Sequence, residues 1–271
     1  MGAIWRYETK RVCSRVLCLL TISISLLSLA VSQRTYAIEF YSVNELPAGE
    51  SYDNWVSRYL NWVLSIPTSQ EKALKSGAVK CLMNKTGSMV MVMQTTFGGE
   101  LRQECEISSK DAIMIPLWIG WCDIGGDRDR IQDPQKDLDT QLTDCARREY
   151  NTGDITSNVI IDGVPAVKLD VGLKKPAGSD QFADPDYRKT SVENVTEIFS
   201  KGFDLKIPAD THKGNLPPGT WRAGSHGWWV FLKPLPPGEH TISYNILVTP
   251  DAPDAPEEGT NSLVTYKLQV T

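Results

Sequence analysis

The chain has 271 residues, with 28 Lys and Arg side chains against 33 Asp and Glu side chains, which gives a formal net charge of −5 at pH 7. This acidic balance argues against nucleic acid as a partner. The length suits one large β domain, and no internal repeat or shift in composition divides the sequence.

The N-terminus has the pattern of a signal peptide. The first fifteen residues contain four basic side chains against one acidic side chain, and residues 16–31 carry no charge. Small-residue sequences predict cleavage after Ala30 or Ala37, which leaves residues 38–271 as a single secreted domain. The alternative is a retained membrane anchor, although the uncharged run of 16 residues is short for a spanning helix of roughly 20. Without cleavage, this segment would be the only contact with a membrane.

The main helix is predicted at the start of the mature chain. Apolar residues recur at three- and four-residue steps from Trp55 to Ile66, Ser51 or Asp53 can cap the N-terminus, and Pro67 ends the pattern. The aromatic stripe of this helix is a candidate cover for aromatic side chains on a sheet. An ordinary amphipathic helix packed elsewhere on the core explains the pattern equally well.

Four cysteines remain once the signal is removed. They are Cys81, Cys105, Cys122 and Cys145. Outside the cytoplasm an even set predicts two disulfides, and the sequence allows three pairings. We favour Cys81 with Cys105 and Cys122 with Cys145, because each pair closes a short loop between neighbouring elements. A tetrathiolate zinc site is the weaker alternative, since no two cysteines have the close CxxC spacing.

The first strands are predicted around a turn at residues 97–100. Residues 89–96 are apolar on both faces, as in a central strand, whereas residues 101–107 alternate between apolar and charged side chains. The next apolar run, at residues 112–118, contains Pro116, which cannot donate to a strand ladder. We therefore predict an edge or bulged strand there.

An acidic insert lies between Cys122 and Cys145. It contains seven aspartates, of which Asp123, Asp127 and Asp129 are candidate calcium ligands. The insert lacks the glycine and glutamate of an EF-hand loop, and charges of both signs alternate there, which is typical of a solvated loop. We therefore expect no cofactor, with calcium as the weaker alternative. Helical spacing at residues 138–150 predicts a helix tied to the sheet by Cys145.

Further strands follow the insert. The dipeptide Asp162-Gly163 predicts a hairpin turn, residues 174–190 read as a polar loop, and residues 250–259 as an acidic, proline-rich loop. The last strand alternates, with Val264 and Tyr266 among its inward side chains.

A third hairpin is predicted at residues 227–246, where a proline-rich turn separates two apolar runs. The register that gives one apolar face pairs Trp228 with Tyr244 and Leu232 with His240. Trp229 and Phe231 then lie on the outer face, where they are either covered by another element or form a binding surface. Trp118, Trp121 and Trp221 are the further candidates for a shared exposed aromatic strip.

These elements predict a mainly β chain. We expect a single antiparallel β-sandwich, jelly-roll or immunoglobulin-like, with one N-terminal helix and the disulfide-tied acidic insert.

Several segments along most of the mature chain resemble a family of predicted secreted proteins of bacteria and archaea. The matching features are the tryptophan-rich helix ending at Ile66-Pro67, Cys81, Phe97-Gly98-Gly99 with Arg102 and Cys105, Ile115-Pro116 with Cys122, Asp162-Gly163-Val164-Pro165, Leu232-Lys233-Pro234-Leu235, and Gly238-Glu239-His240-Thr241-Ile242. The resemblance implies one exported domain and brings no catalytic residues or activity with it.

The sequence contains no catalytic motif that survives geometric inspection. Ser225 and His226 are adjacent, so on a strand they point to opposite faces, and the three histidines are too dispersed for a metal cluster. We therefore predict a secreted or cell-surface module without catalytic activity that binds a cell-envelope glycan or a surface protein. The alternative is a secreted hydrolase with a serine or carboxylate active site, because paired carboxylates are recognised only in space.

Overall fold

The computed structural model describes residues 36–94, 99–148, 153–174, 186–211, 216–250 and 260–271. The predicted signal peptide up to residue 35, the turn residues 97 and 98, the loop residues 175–185 and 251–259, and His212 lie outside the described residues. Residues from Ile38 to Thr271 cluster as one unit.

Strands and helices follow one another in a mixed order. The strands are β1 (Met83–Thr86), β2 (Met89–Val92), β3 (Gly99–Ile107), β4 (Ala112–Asp123), β5 (Gly153–Ile161), β6 (Val164–Lys174), β7 (Asp186–Glu193), β8 (Thr196–Ile207), β9 (Gly219–Leu232), β10 (Gly238–Pro250) and β11 (Thr260–Val270). The helices are α1 (Tyr52–Ser65), α2 (Thr68–Lys75) and α3 (Leu138–Arg148). Strands make up 49% of the structure and helices 20%, so the prediction of a mainly β chain is confirmed.

Two sheets are formed. Sheet A has the strand order β1-β2-β4-β9-β8, and sheet B the order β3-β11-β10-β5-β6-β7. The pairs β2–β4 and β3–β11 are parallel, so the prediction of a purely antiparallel sandwich is wrong. The parallel pair in sheet A arises because β3, which lies between β2 and β4 in the chain, belongs to the other sheet. The jelly-roll or immunoglobulin-like topology stays a prediction.

The predicted hairpin of β9 and β10 is also wrong. Leu232, at the end of β9, pairs with Ile113 in sheet A, whereas His240 of β10 pairs with Leu268 in sheet B. The five residues between the two strands cross from one sheet to the other, and three of them are prolines, which cannot donate to a hairpin ladder. Likewise, β2 belongs to sheet A and β3 belongs to sheet B, so these two strands do not form a hairpin either.

Other predicted strand features are confirmed in part. Asp162 and Gly163 form the tight turn between β5 and β6, with φ angles of 51° and 78°. The predicted bulge beside Pro116 is present, but β4 lies inside sheet A and not at its edge. Proline is tolerated there because β2 pairs with β4 only as far as Met114. The polar loop is shorter than predicted, because β7 begins at Asp186.

Helix α1 confirms the sequence prediction. The Ser51 hydroxyl accepts a hydrogen bond from the Asn54 N–H at 3.4 Å, which caps the N-terminus, and Pro67 follows the C-terminus. The helix packs beside β8, where the Asn61 side chain donates to the Asp204 carbonyl at 3.0 Å and accepts from the Lys206 N–H at 2.8 Å. The amide thereby occupies the edge of sheet A that a further strand would otherwise pair with. Helix α2 was not predicted.

Both predicted disulfides are present. Cys81–Cys105 fixes the segment before β1 to strand β3, and Cys122–Cys145 joins β4 to α3, which confirms the disulfide-tied acidic insert. By the chain-entropy estimate each bridge contributes on the order of 3 kcal/mol. None of the described helices combines the length and apolar character needed to cross a bilayer.

Sheet A is covered on both faces. Antiparallel partners share a face, so Trp229 of β9 lies with Pro116 and Thr196, whereas Trp228 lies with Trp118 and Glu197.

Helix α1 contacts the face that carries Trp229, hereafter the α1 face. Helix α3 packs on the second, the α3 face, where a Cβ at Gly224 would lie 2.6 Å from the backbone nitrogen of Thr143.

A matched pair of variants tests the two sides of the crossing between the sheets. Leu232→Ala should lower the free energy of unfolding by about 2 to 5 kcal/mol, because Leu232 is fully buried. Thr241→Ala should cost well under about 1 kcal/mol, because the Thr241 backbone N–H, which donates to Asp162, is unchanged. Urea denaturation measures both changes. Equal small losses would contradict the assignment of Leu232 to the core.

Candidate functional site

Trp229 and Phe231 do not form an exposed face. Their exposed fractions are 0% and 1%. Tyr59 and Tyr52 of α1 meet these two rings edge-on, with centroid separations of 5.2 Å to Trp229 and 4.8 Å to Phe231. The binding-surface interpretation of this pair is therefore wrong, and the interpretation of α1 as their cover is confirmed.

The other three candidate tryptophans are partly buried and do not join into one strip. Trp118 is opposite Trp228 on the α3 face, whereas Trp121 is opposite Ser225 on the α1 face. Trp221 packs over the backbone of the loop that follows β4, and its indole N–H donates to the Pro217 carbonyl at 2.9 Å. Trp118 therefore lies on the opposite face of sheet A from Trp121, and because Trp229 and Phe231 are buried, the predicted exposed strip shared by all five side chains is wrong.

A different aromatic group is accessible on the α3 face. The Phe199 ring is 41% exposed and stacks on the imidazole of His226, with a centroid separation of 4.4 Å and an interplanar angle of 23°. Trp228 meets the same imidazole edge-on at 4.9 Å. The Glu197 carboxylate lies 3.0 Å from Nε2 of His226, and the Arg147 guanidinium carbon lies 5.9 Å from the centre of the Phe199 ring. We call these five residues the Phe199 platform.

Strand pairing explains how the platform is assembled. Phe199 is directly opposite His226, and Glu197 is directly opposite Trp228, so two adjacent cross-strand pairs place all four side chains on the α3 face. His226 and Trp228 are fully buried, which fixes the surface on which Phe199 stacks. The platform is therefore rigid at its base and accessible at Phe199.

Helix α3 contributes Arg147 and is anchored at two points. One is the disulfide of Cys145. The other is a two-pronged ion pair in which Arg222 Nε and an Arg222 terminal nitrogen donate to the two carboxylate oxygens of Asp139 at 2.8 and 2.6 Å. The Arg222 guanidinium holds the pKa of Asp139 below its ordinary value. The side chains of Asp139 and Arg222 lie so close to Gly202, whose φ is 54°, that a side chain at this position would clash with them.

Sequence reasoning missed Phe199, although β8 carries a signal for it. Thr196, Ile198 and Ser200 are buried and share one phase of the strand, whereas Glu197 and Phe199 occupy the opposite phase. A large aromatic residue in the polar phase of an alternating strand is the pattern that indicates an accessible aromatic group.

The platform is not a serine hydrolase site. The Ser225 hydroxyl donates to the Gly120 carbonyl at 2.9 Å and lies on the α1 face, away from His226. The other described histidine, His240, lies in sheet B between the Asp162 carboxylate and the Pro236 carbonyl, each at 2.8 Å. The predicted register that paired His240 with Leu232 is wrong, but the two histidines are separate, as expected.

The candidate calcium ligands are engaged within their own loop. Oδ1 of Asp123 accepts hydrogen bonds from the N–H groups of Gly125 and Gly126 at 2.8 and 2.9 Å, and Asp127 accepts from the Asp123 N–H. Asp129 lies in a short 3₁₀ turn and does not join them.

Within the described residues, Asp127 is instead close to the sulfurs of Cys122 and Cys145. These two sulfurs form a disulfide and are therefore not thiolate ligands. Calcium binding stays a prediction.

Asp123 is nonetheless electrostatically unusual. Burial raises the pKa of its carboxyl above the ordinary value, and the nearby Asp127 charge adds to the rise. The two hydrogen bonds from the loop N–H groups oppose this rise in the pKa, because they stabilise the ionised carboxylate. Because only 1% of Asp123 is exposed, the group is inaccessible to a substrate and serves to hold the loop.

Comparisons with known proteins identify no family for this chain. No family model and no curated protein matches the chain. Among solved structures, the chain has a likeness to the crystal structure of a mutant of CfaE, the CFA/I adhesin of enterotoxigenic E. coli, with 13% sequence identity and a TM-score of 0.16. The likeness covers 56% of this chain and 35% of the adhesin chain.

The burial of Trp229 leads to a stability prediction. Trp229→Ala should lower the free energy of unfolding by about 3 to 5 kcal/mol, because it leaves a cavity under Tyr59. Val43→Ala is the control, since Val43 is 66% exposed and its loss should change stability by less than about 0.5 kcal/mol. Denaturant melts measure both. A Trp229→Ala protein as stable as the control would contradict the packing described here.

Asp123→Asn tests the buried carboxyl. A raised pKa means that the folded chain binds the proton more tightly than the unfolded chain, so ionisation of Asp123 reduces stability as the pH rises above about 3.9. Asparagine keeps an oxygen for the two loop N–H groups and cannot ionise. We expect Asp123→Asn to match the wild type near pH 3 in urea melts and to become progressively more stable than it towards pH 7.

Asp123→Ala provides the contrast, because it removes both hydrogen bonds and should be destabilising at every pH. A wild type that gains stability relative to Asp123→Asn as the pH rises would contradict the raised pKa.

Proposed function

We propose that the mature protein is a secreted or cell-surface binding module, without catalytic activity, that recognises a cell-envelope glycan at the Phe199 platform. The observation that carries the proposal is the 41% exposed Phe199 ring stacked on the buried ring of His226. An aromatic side chain held in this way loses little conformational entropy on binding. Such side chains are typical anchors of binding sites.

The polar groups around Phe199 suit a hydroxyl-rich ligand. The side chain of Glu197 is 18% exposed and can accept hydrogen bonds, and the Arg147 guanidinium beside the ring can donate them. Sugars present apolar C–H faces to aromatic rings and hydroxyl groups to charged side chains. A platform that offers both kinds of contact therefore matches a glycan better than a purely apolar ligand.

The export part of the proposal has separate support. Two disulfides are typical of proteins from oxidising compartments. The basic and then uncharged N-terminal sequence favours export in the same way.

A secreted hydrolase is the second candidate, because the His226 and Glu197 pair has the geometry of a base and its orienting carboxylate. Against it, the His226 ring is fully buried beneath Phe199, which leaves no route for a substrate to the imidazole. Turnover of an ester, peptide or glycoside that disappears in Glu197→Gln would replace the binding proposal.

Phe199→Ala tests the platform directly. Aromatic anchors of interfaces contribute about 2 kcal/mol or more, so binding to an immobilised neutral cell-envelope polysaccharide should weaken roughly thirtyfold. The melting temperature should fall less than in Trp229→Ala, because Phe199 is 41% exposed whereas Trp229 is fully buried. Leu263→Ala is the matched control, since Leu263 is 39% exposed on sheet B and should bind like the wild type. Binding that survives Phe199→Ala would contradict the proposal.

A further inference from the structure

A cleft with three basic side chains lies at one edge of sheet B. Its volume is about 370 Å³, and its charged lining residues are Lys80, Arg102, Glu104 and Lys267. Arg102 and Glu104 belong to β3, Lys267 belongs to the neighbouring strand β11, and Lys80 lies in the segment that follows α2. The volume falls within the range of small-molecule sites, so the cleft can hold a ligand of one or a few sugar units.

The wall of this cationic cleft is fixed in place. The Cys81–Cys105 disulfide, with a Cα–Cα distance of 5.2 Å, ties the segment containing Lys80 to β3. The Lys80 carbonyl accepts a hydrogen bond from the Glu104 N–H at 2.6 Å. The buried Gln103 side chain accepts from the Leu82 N–H at 2.7 Å. The cleft is thus pre-formed, and binding would not have to order its backbone.

The charges of the cleft do not balance within the described residues. Arg102 pairs with Glu100 at 2.7 Å, and Lys267 lies 3.6 Å from Glu104, while Lys80 has no ion pair with a described residue. One positive charge is therefore in excess at this place in a chain whose formal net charge is −5. Local positive charge on an acidic protein favours an anionic ligand there.

We propose that the cationic cleft binds the carboxylate of an acidic sugar. Glu104 lines the same cleft, and because its carboxylate has no proton to donate, it is a poor neighbour for the oxygens of a simple oxyanion such as phosphate. The Glu104 carboxylate can instead accept a hydrogen bond from a sugar hydroxyl, while Arg102 offers the planar donor pair that suits a carboxylate. Once the Arg102 pair with Glu100 is counted, the one excess positive charge and the acceptor Glu104 are matched by an acidic sugar unit, which has one carboxylate and several hydroxyl groups.

This site is independent of the Phe199 platform. The cleft involves β3 and β11 of sheet B, whereas the platform lies on β8 and β9 of sheet A. Loss of one site should leave binding at the other unchanged, so the two proposals can fail separately.

Titration calorimetry with trigalacturonate at low ionic strength tests the cleft. The double variant Lys80→Gln/Lys267→Gln should weaken binding roughly five- to tenfold, because two exposed charge contacts of up to about 1 kcal/mol each are lost. Lys206→Gln on sheet A is the matched control and should bind like the wild type. Glu104→Gln should bind trigalacturonate more tightly, since it removes a like charge from the cleft.

Three results would overturn the proposal. They are an absence of trigalacturonate binding by the wild type, equal binding by the double variant, and weaker binding by Glu104→Gln. Inorganic phosphate as the probe separates the ligand classes, because phosphate that binds as tightly as trigalacturonate would replace the acidic sugar with a simple oxyanion. Phe199→Ala should bind trigalacturonate normally, and a loss there would show that the platform and the cleft are not independent.

Discussion

Ten consecutive residues of β9, from 223 to 232, are buried, so this strand requires cover on both of its faces. Helix α1 packs on the face that carries Trp229 and Phe231, and α3 packs on the face that carries His226 and Gly224. Each helix is itself tied down, α1 by hydrogen bonds of Asn61 to β8 and α3 by a disulfide and an ion pair. The position of the accessible Phe199 follows from this arrangement, since it lies where the cover by α3 ends.

The sequence predicted most elements but not their partners. An unbroken apolar run identifies β9 as a strand and alternating apolar residues identify β10, yet both patterns are the same whether the next strand pairs alongside or crosses to a second sheet. The prolines at 234, 236 and 237 were compatible with a hairpin turn in sequence, although they fit a crossing segment better because none can donate to a ladder. The disulfide pairing was predictable because each bridge joins neighbouring elements of the chain.

The sequence predicts accessible aromatic side chains outside the core, but it places them at the wrong residues. The alternation of the strands predicts Trp229 on an outer face, where α1 covers it, and does not single out Phe199, which is 41% exposed. Whether an outer face is covered depends on α1, about 170 residues away in the chain, and no local pattern carries that information. The basic residues of the cationic cleft are likewise dispersed from Lys80 to Lys267 and meet only because β3 pairs with β11.

The contacts of Asn61 have a consequence for the order of folding. Its partner Asp204 follows it by 143 residues, so α1 is synthesised long before the strand on which it docks. Until β8 and β9 are available, the buried stripe of α1, which includes Trp55, Tyr59 and Leu60, lacks the face of sheet A that carries Trp229, on which Tyr59 packs. Contacts this distant in sequence form slowly, because a long loop must close first. Folding of this half of the molecule is therefore completed late, and an N-terminal fragment that ends before β8 should remain soluble only while a chaperone holds its apolar helix.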